Sequence, residues 1–238
     1  MHRLASVLFL VIFFFSSAAS ASNKLFFSGM DAAVVNSSAQ VLKYAYSQMG
    51  IEIATRYYPI ERALHSANAG LVDGEIVKIG GLEKQFPNLI QIPVPIFHTE
   101  LVAISKNPDI KISGWESLAP YRLGLVRGVR IIQKGLKKGG CKNFVTSIDP
   151  DHIVKMLEAD RIDIGIISRL GAMKALKHSQ SNTIKILEPT IEVTPMYHYL
   201  NKEHADIVPK LISTLSQMNK SGQIAKINQH FIKHLLKQ

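Results

Sequence analysis

Residues 51–77, IEIATRYYPIERALHSANAGLVDGEIV, decide the fold. Ile51–Tyr57 is rich in β-branched and aromatic side chains and reads as a strand. Pro59 or Ile60 then opens a helix carrying Ala63, Leu64 and Ala67, because a proline at the first helical position gives up an N–H that has no partner there anyway. Gly70 stops the helix, and Val72–Val77 returns as a strand. A strand, a helix and a second strand in so short a stretch make a β-α-β unit, the building block of α/β folds.

The same alternation extends in both directions. Upstream, Leu25–Phe27 reads as a strand, Ser28–Asn36 as a loop, and Ser37–Met49 as a helix with Val41, Ala45 and Met49 four apart and Gly50 as its stop. Downstream come a strand at Glu100–Ser105, a helical turn at Trp115–Leu118, a strand at Arg122–Val126 running into Gly128, and a helix at Val129–Lys138. Asp149 is a good N-cap with Pro150 at the first helical position, and Ile153, Met156 and Leu157 form the buried stripe of that helix. Ile162–Ile167 is nearly all apolar, as expected of a strand covered on both faces. A helix at Arg169–Lys177, strands at Ile184–Leu187 and Val193–Leu200, and helices at Ala205–Asn219 and Gln223–Lys237 complete the chain. The expectation is a mainly parallel α/β fold in two lobes that need not be contiguous in sequence.

Composition agrees. The 238 residues are 47% apolar and 19% charged, enough to bury a sizeable core, and a single Cys excludes an internal disulfide and a Cys-based zinc site. His2 and Arg3, an apolar run Leu4–Phe15 broken only by Ser6, and small residues from Ser16 to Ser22 form the three-part layout of a secretory signal peptide. The run is too short to span a bilayer, and Ala19-Ser20-Ala21 places cleavage after Ala21, with no Cys there for lipid attachment. The product is expected to be soluble and periplasmic. Loss of Arg3 from 28 basic residues leaves 27 against 18 acidic ones. Such an excess suggests nucleic acid in a cytosolic chain, and export argues against that partner. Seven basic residues and no acidic one lie between Arg122 and Lys142, most of them as a solvated helix face.

Five segments occur along the chain in a telling order: Tyr57–Glu75 (YYPIERALHSANAGLVDGE), Asn88–Phe97 (NLIQIPVPIF), Gly124–Gly128 (GLVRG), Asp160–Ile167 (DRIDIGII) and Ser221–Phe231 (SGQIAKINQHF). In this set the chain resembles the family 3 periplasmic solute-binding proteins, the type II two-lobed binding proteins of ABC importers. The resemblance implies one lobe of residues 22–98 with 193–238, a second of 99–192, hinge strands at Thr99–Ser105 and Val193–Tyr199, and a small-molecule ligand in the cleft between the lobes. Ligands of open α/β sheets sit outside the carboxyl ends of strands, where helix N-termini offer free N–H groups.

The residues expected to line that cleft follow. Arg127 and Arg130 lie at the strand-to-helix turn after Gly124 and match the family's position for gripping an anionic group, for which Arg offers a planar fork. Met30 and Asp31 follow the first strand and Tyr58 the second; Glu75 is expected just past a strand end, and Phe97 and His98 at the hinge entrance. Arg62 reads equally well as a surface charge. In amino-acid-binding members an Arg of the first lobe holds the α-carboxylate and an Asp of the second holds the α-ammonium. Here Lys78 and Ser168 stand nearest those positions, so the usual amino-acid clamp is incomplete and a small polar solute, anionic or zwitterionic, is the broader expectation.

Three other readings compete. A dehydratase-like enzyme on this scaffold would need an acid and a base converging, and Glu75 with His98 is the pair to nominate. His230 and His234, four apart on a helix, offer two metal ligands of the four a structural site needs. Lobe closure is a signal that serves a membrane sensor kinase as well as a permease, and both readings stay open. The expected protein is a monomer that works without a cofactor or catalysis.

Overall fold

In the computed structural model, which describes residues 24–237, the deciding segment forms β2 (Glu52–Tyr57), α2 (Ile60–Asn68) and β3 (Gly74–Ile79). The expected signal peptide, residues 1–21, lies outside the described residues. β1 (Lys24–Gly29) inserts between β2 and β3 and runs parallel to both, so the crossover helix α2 passes over it. α1 (Ala33–Ser47) begins four residues before the expected Ser37. Its N-cap, Ala32, makes no side-chain capping bond, and Ser37 and Ser38 are buried inside the helix, where Ser37 Oγ donates to Asn228 Oδ1 at 2.7 Å.

Two strands of 17 residues organise everything else: β4 (Leu89–Ser105) and β8 (Lys185–Asn201). They pair antiparallel along most of their length, with register breaks at Gln91/Pro95, Pro95/Phe97 and Leu101/Ala103. β4 thus starts eleven residues before the expected Glu100, and the two strands expected at Ile184–Leu187 and Val193–Leu200 are one. The cause is proline: Pro93 and Pro95 in β4, and Pro189 and Pro195 in β8, remove ladder donors and argue against strands wherever bulges do not accommodate them. The late half of β8 pairs with β3, whereas the late half of β4 pairs with β7 (Ile164–Ser168). β7, β5 (Leu123–Val126) and β6 (Phe144–Ser147) then run parallel, giving the sheet order β2-β1-β3-β8-β4-β7-β5-β6. The sheet is mixed: β2-β1-β3 and β7-β5-β6 are parallel, and β8 and β4 run antiparallel to each other and to their outer neighbours β3 and β7. Both expected hinge segments lie in that crossing, with Thr99 opposite Thr194 and Glu100 opposite Val193.

Helices cover the sheet. Against the first lobe, α1, α6 (Val208–Lys220) and α7 (Gln223–Leu235) bury Phe27, Leu42, Ile76, Ile92, Leu211 and Leu215 together. In the second lobe, α4 (Pro150–Glu158) and α5 (Arg169–Ser179) bury Ile153, Leu157 and Ala172 against Ile104 and Ile167. A third cluster runs from Leu64, Leu82 and Phe86 through Leu101 to Trp115 and Ile164, so apolar packing is continuous past the hinge. Trp115 lies flat on α3 (Arg130–Gly139) because Gly135 has no side chain; a Cβ there would come within 2.0 Å of the indole.

One buried polar group stands out. His198 on β8 is fully buried beside Phe27 and Tyr46, with Nδ1 2.8 Å from the Glu75 carbonyl oxygen and Nε2 2.9 Å from the Tyr46 hydroxyl. A carbonyl can only accept, so Nδ1 carries the proton and Nε2 accepts from Tyr46, which is the neutral imidazole. Burial holds its pKa down at about 4, against an ordinary 6.5. Between these values the unfolded chain binds the proton and the folded chain does not, so His198 lowers stability as pH falls from about 6.5 to about 4, by up to about 3 kcal/mol. Urea unfolding of the wild type and His198→Asn at pH 7 and pH 4.5 checks this: the wild type should lose more stability than the variant on acidification, and equal losses would refute the assignment.

Candidate functional site

The carboxyl ends of β1, β3, β5, β6 and β7 converge on the gap between the lobes. Five helices start there: α1, α2, α3, α4 and α5. The space they enclose is a cavity of about 300 Å³, with Met30–Val35, Ile60 and Leu64 on one wall. Val126, Gly128–Ile132, Ile148–Asp151 and Ile167–Ser168 form the other wall. Thr99 and Leu101 of β4 and Met196 of β8 line it from the hinge side. The wall is largely aliphatic. Its polar groups are few: Asp31, Lys78, Thr99, Arg130, Asp149, Asp151, Ser168 and Lys174.

Of the residues expected from sequence, Asp31, Arg130 and Ser168 line the cavity, as do Met30 and Lys78. Asp31 is exposed and accepts from Asn36 Nδ2 at 3.1 Å. Ser168 caps α5, accepting from the Gly171 N–H at 3.1 Å. Behind it Arg169 donates to Glu100 of β4 and, at 2.8 Å, to both Glu188 and Thr190 of β8, fixing the start of α5 to both hinge strands. These carboxylates hold the Arg169 guanidinium above its ordinary pKa, and the bond to it holds Glu188 below the usual carboxylate range.

Four expectations are corrected. Glu75 lies inside β3, not past a strand end, and its carboxylate is fully buried: Ser28 Oγ donates to it at 2.5 Å and Lys78 Nζ at 2.7 Å. Desolvation raises its pKa despite both donors. Phe97 is buried in the first-lobe core, its side on β4 facing α1, α6 and α7 instead of the cleft. Arg127 is exposed and contributes its backbone N–H to Ser147 O, joining β5 to β6. Tyr58 packs against the apolar cluster with the Arg62 guanidinium 5.6 Å over its ring, and does not line the cavity. The enzyme pair fails on the same ground, since Glu75 is sealed in the core, His98 is exposed, and neither lines the cavity.

Arg130 does more than line the cleft. From the first residue of α3 it reaches across to the first lobe, where it donates to Gln85 and, at 3.4 Å, to Glu61, with its guanidinium 5.4 Å over the Phe86 ring. Its Nε is buried without a partner. Close by, Gly128 turns at φ 79°, and a Cβ there would touch Ile60 of α2 at 3.4 Å. The lobes therefore meet directly across the mouth, and the cleft is closed. These partners lie 45 and 69 residues from Arg130 in sequence, and no local pattern announces them. His230 and His234 are neighbours on α7, their rings tilted 55° to one another with centroids 4.5 Å apart, and among the described residues no group of three or more His, Cys, Asp or Glu forms a metal-sized cluster.

No family model matches the chain. An uncharacterized protein of Shewanella oneidensis is 27% identical over 197 residues, covering 79% of this chain and 73% of that protein. Among solved structures, a histidine kinase sensor domain with similarity to periplasmic binding proteins superposes with a TM-score of 0.74 at 14% identity, covering 87% of this chain and 95% of its own. An amino acid ABC transporter substrate-binding protein from Streptococcus pneumoniae, bound to L-arginine, superposes with a TM-score of 0.73 at 16% identity, covering 91% and 97%. At such identities the likeness concerns architecture: an α/β fold of the type II periplasmic binding protein kind, two lobes on a two-strand hinge around a ligand-sized cleft.

Proposed function

We propose that the chain is an exported, periplasmic solute-binding protein that captures a small anionic or zwitterionic solute for an ABC importer. The observation that carries this reading is the cavity of about 300 Å³ between the lobes, at the convergence of strand ends and helix starts. Residues 22–98 with 193–238 make one lobe and 99–192 the other. Asp31, Lys78, Arg130 and Ser168 are the polar groups assigned to ligand contact. Binding works by population shift: a ligand that touches both walls stabilises the closed arrangement, and the Arg130 contacts across the mouth add to it. No step of this mechanism requires a cofactor or a catalytic group. The likeness to a kinase sensor domain supports a second reading of the output, in which a membrane sensor protein senses closure.

Two measurements test the proposal. A thermal-shift screen of residues 22–238 against amino acids, organic acids, polyamines, short peptides and divalent metals should yield a ligand that raises the melting temperature. At 100 times its Kd a ligand adds about 2.7 kcal/mol, or about 5–10 °C for a chain of this size. A hit recovered chemically unchanged supports binding; a hit consumed in the assay, or none across the panel, counts against it. Arg127→Ala should leave the shift intact, because that side chain is outside the cavity. Arg130→Ala should increase the radius of gyration of the ligand-free protein in small-angle scattering, and an unchanged radius would show that the mouth contacts do not hold the lobes together.

A further inference from the structure

The character of the cleft narrows the ligand, given the solute-binding reading. Most of its wall is aliphatic, with Val35 and Leu64 on one side and Ile131 and Ile167 on the other, and none of the residues lining it is aromatic. The body of a ligand enclosed there must be apolar, since a polar body would lose its water without gaining partners. Lys78 lies deep on the β3 side. Its side chain is 12% exposed, and Nζ is anchored by the Glu75 carboxylate behind it, which is itself 0% exposed and held by Ser28. An ammonium has three N–H donors, and Glu75 takes one, so the others are available to the cavity that Lys78 lines. Thr99 and Ser168 add hydroxyls. α1 and α3 start at the cavity without side-chain caps, so their first-turn N–H groups leave positive potential there.

Nothing comparable awaits a positive charge. Each acid that lines the cavity already has a partner in the chain: Asp31 accepts from Asn36, Asp149 caps the His152 N–H at 2.8 Å, and Asp151 pairs with His178 at 3.2 Å. Glu75 does not line the cavity. An ammonium brought deep into the cleft would face Lys78, while the buried Glu75 carboxylate behind it is already taken up by Lys78 and Ser28.

We propose that the ligand is a small monocarboxylate with an aliphatic body and no ammonium group, its carboxylate held by Lys78 with Glu75 as the residue that positions the lysine. The test is isothermal titration of residues 22–238 with a matched set on one carbon skeleton, 4-methylpentanoate, L-leucine and 4-methylpentylamine, together with the straight-chain carboxylates from butanoate to octanoate. At least one of the carboxylates without an amino group should bind, at least tenfold more tightly than L-leucine, and the amine should give no heat of binding. Lys78→Met should weaken that carboxylate at least tenfold. Because this variant leaves Glu75 buried without its partner, the double variant Glu75→Gln/Lys78→Met removes both charges together and should show the same loss. Equal or tighter binding of L-leucine or of the amine overturns the proposal, as does full carboxylate affinity in a folded variant lacking Lys78. If every carboxylate fails while the broader thermal-shift panel yields a different ligand, the ligand class is wrong and the solute-binding reading stands; if both panels are empty, both fall.

Discussion

The pairing of β4 with β8 is the constraint on which the molecule depends. Each strand belongs to both lobes, so the ladder between them is at once the centre of the sheet and, among the described residues, the only sheet connection across the cleft. A one-residue slip in such a ladder would turn Ile92 out of the core and put Gln91 or Pro93 in its place, so the buried face fixes the register in the first half of β4. The register breaks concentrate near the prolines and at Leu101/Ala103, where β8 carries the extra residues between Glu192 and Leu187. Bulges bend and twist a strand while leaving its ends paired, and the two lobes are set at their angle by this local geometry. Around it, Arg169 bonds to Glu100 and Glu188, and Trp115 Nε1 donates to Glu192 at 2.7 Å, so side chains of the second lobe brace both strands where they cross.

The distribution of charge follows the same logic of depth. The Glu75–Lys78 pair is inside the protein, where breaking it by removing one partner costs about 3–5 kcal/mol because the other charge is left stranded. Arg130 with Glu61 is at the mouth, 24% and 53% exposed, where an ion pair contributes at most about 1 kcal/mol. On the solute-binding reading, a fixed pair behind the wall and weak, solvated contacts at the rim suit a cleft that closes without locking. If the rim contacts were as costly to break as the buried pair, release of the ligand would be slow on any useful timescale.

How far the sequence could be read depended on whether a signal was local. Strands with clean apolar runs, such as Ile162–Ile167, and helices with a stop or cap, such as the one opened by Asp149-Pro150, were legible because the physics that forms them acts within a few residues. β6 was not, because Phe144–Ser147 is a short edge strand whose first three residues are exposed and therefore under no pressure to alternate. β4 was hidden by its prolines. At the site, the turn after β5 was found, but only one of its two arginines lines the cavity: the positive φ of Gly128 swings the chain so that Arg127 faces solvent while Arg130, three residues on, comes back over the cleft. Glu75 and Phe97 were misassigned for a related reason. Whether a strand residue faces core or cleft is settled by the neighbouring strand and helix, and those contacts come from parts of the chain more than a hundred residues away, as His198 and Tyr199 do for Glu75.

The two kinds of comparison carry different weight for the same reason. Superposition at about 15% identity reports that strand order, hinge and cleft are shared, because these follow from the hydrophobic pattern, which many sequences satisfy. It carries no information about the side chains that meet a ligand. L-arginine, which one neighbour holds, carries two cationic groups, whereas the deep charged residue lining this cleft is a lysine and the wall around it is aliphatic. Ser168 makes the contrast concrete. Its position at the end of β7 and the start of α5 is dictated by the fold, and its hydroxyl accepts from the Gly171 N–H as any serine N-cap does, but it brings no charge to the cavity. The architecture therefore fixes where the cleft lies, and on the solute-binding reading Lys78, Glu75 and Ser168 bear on which solute would fit it.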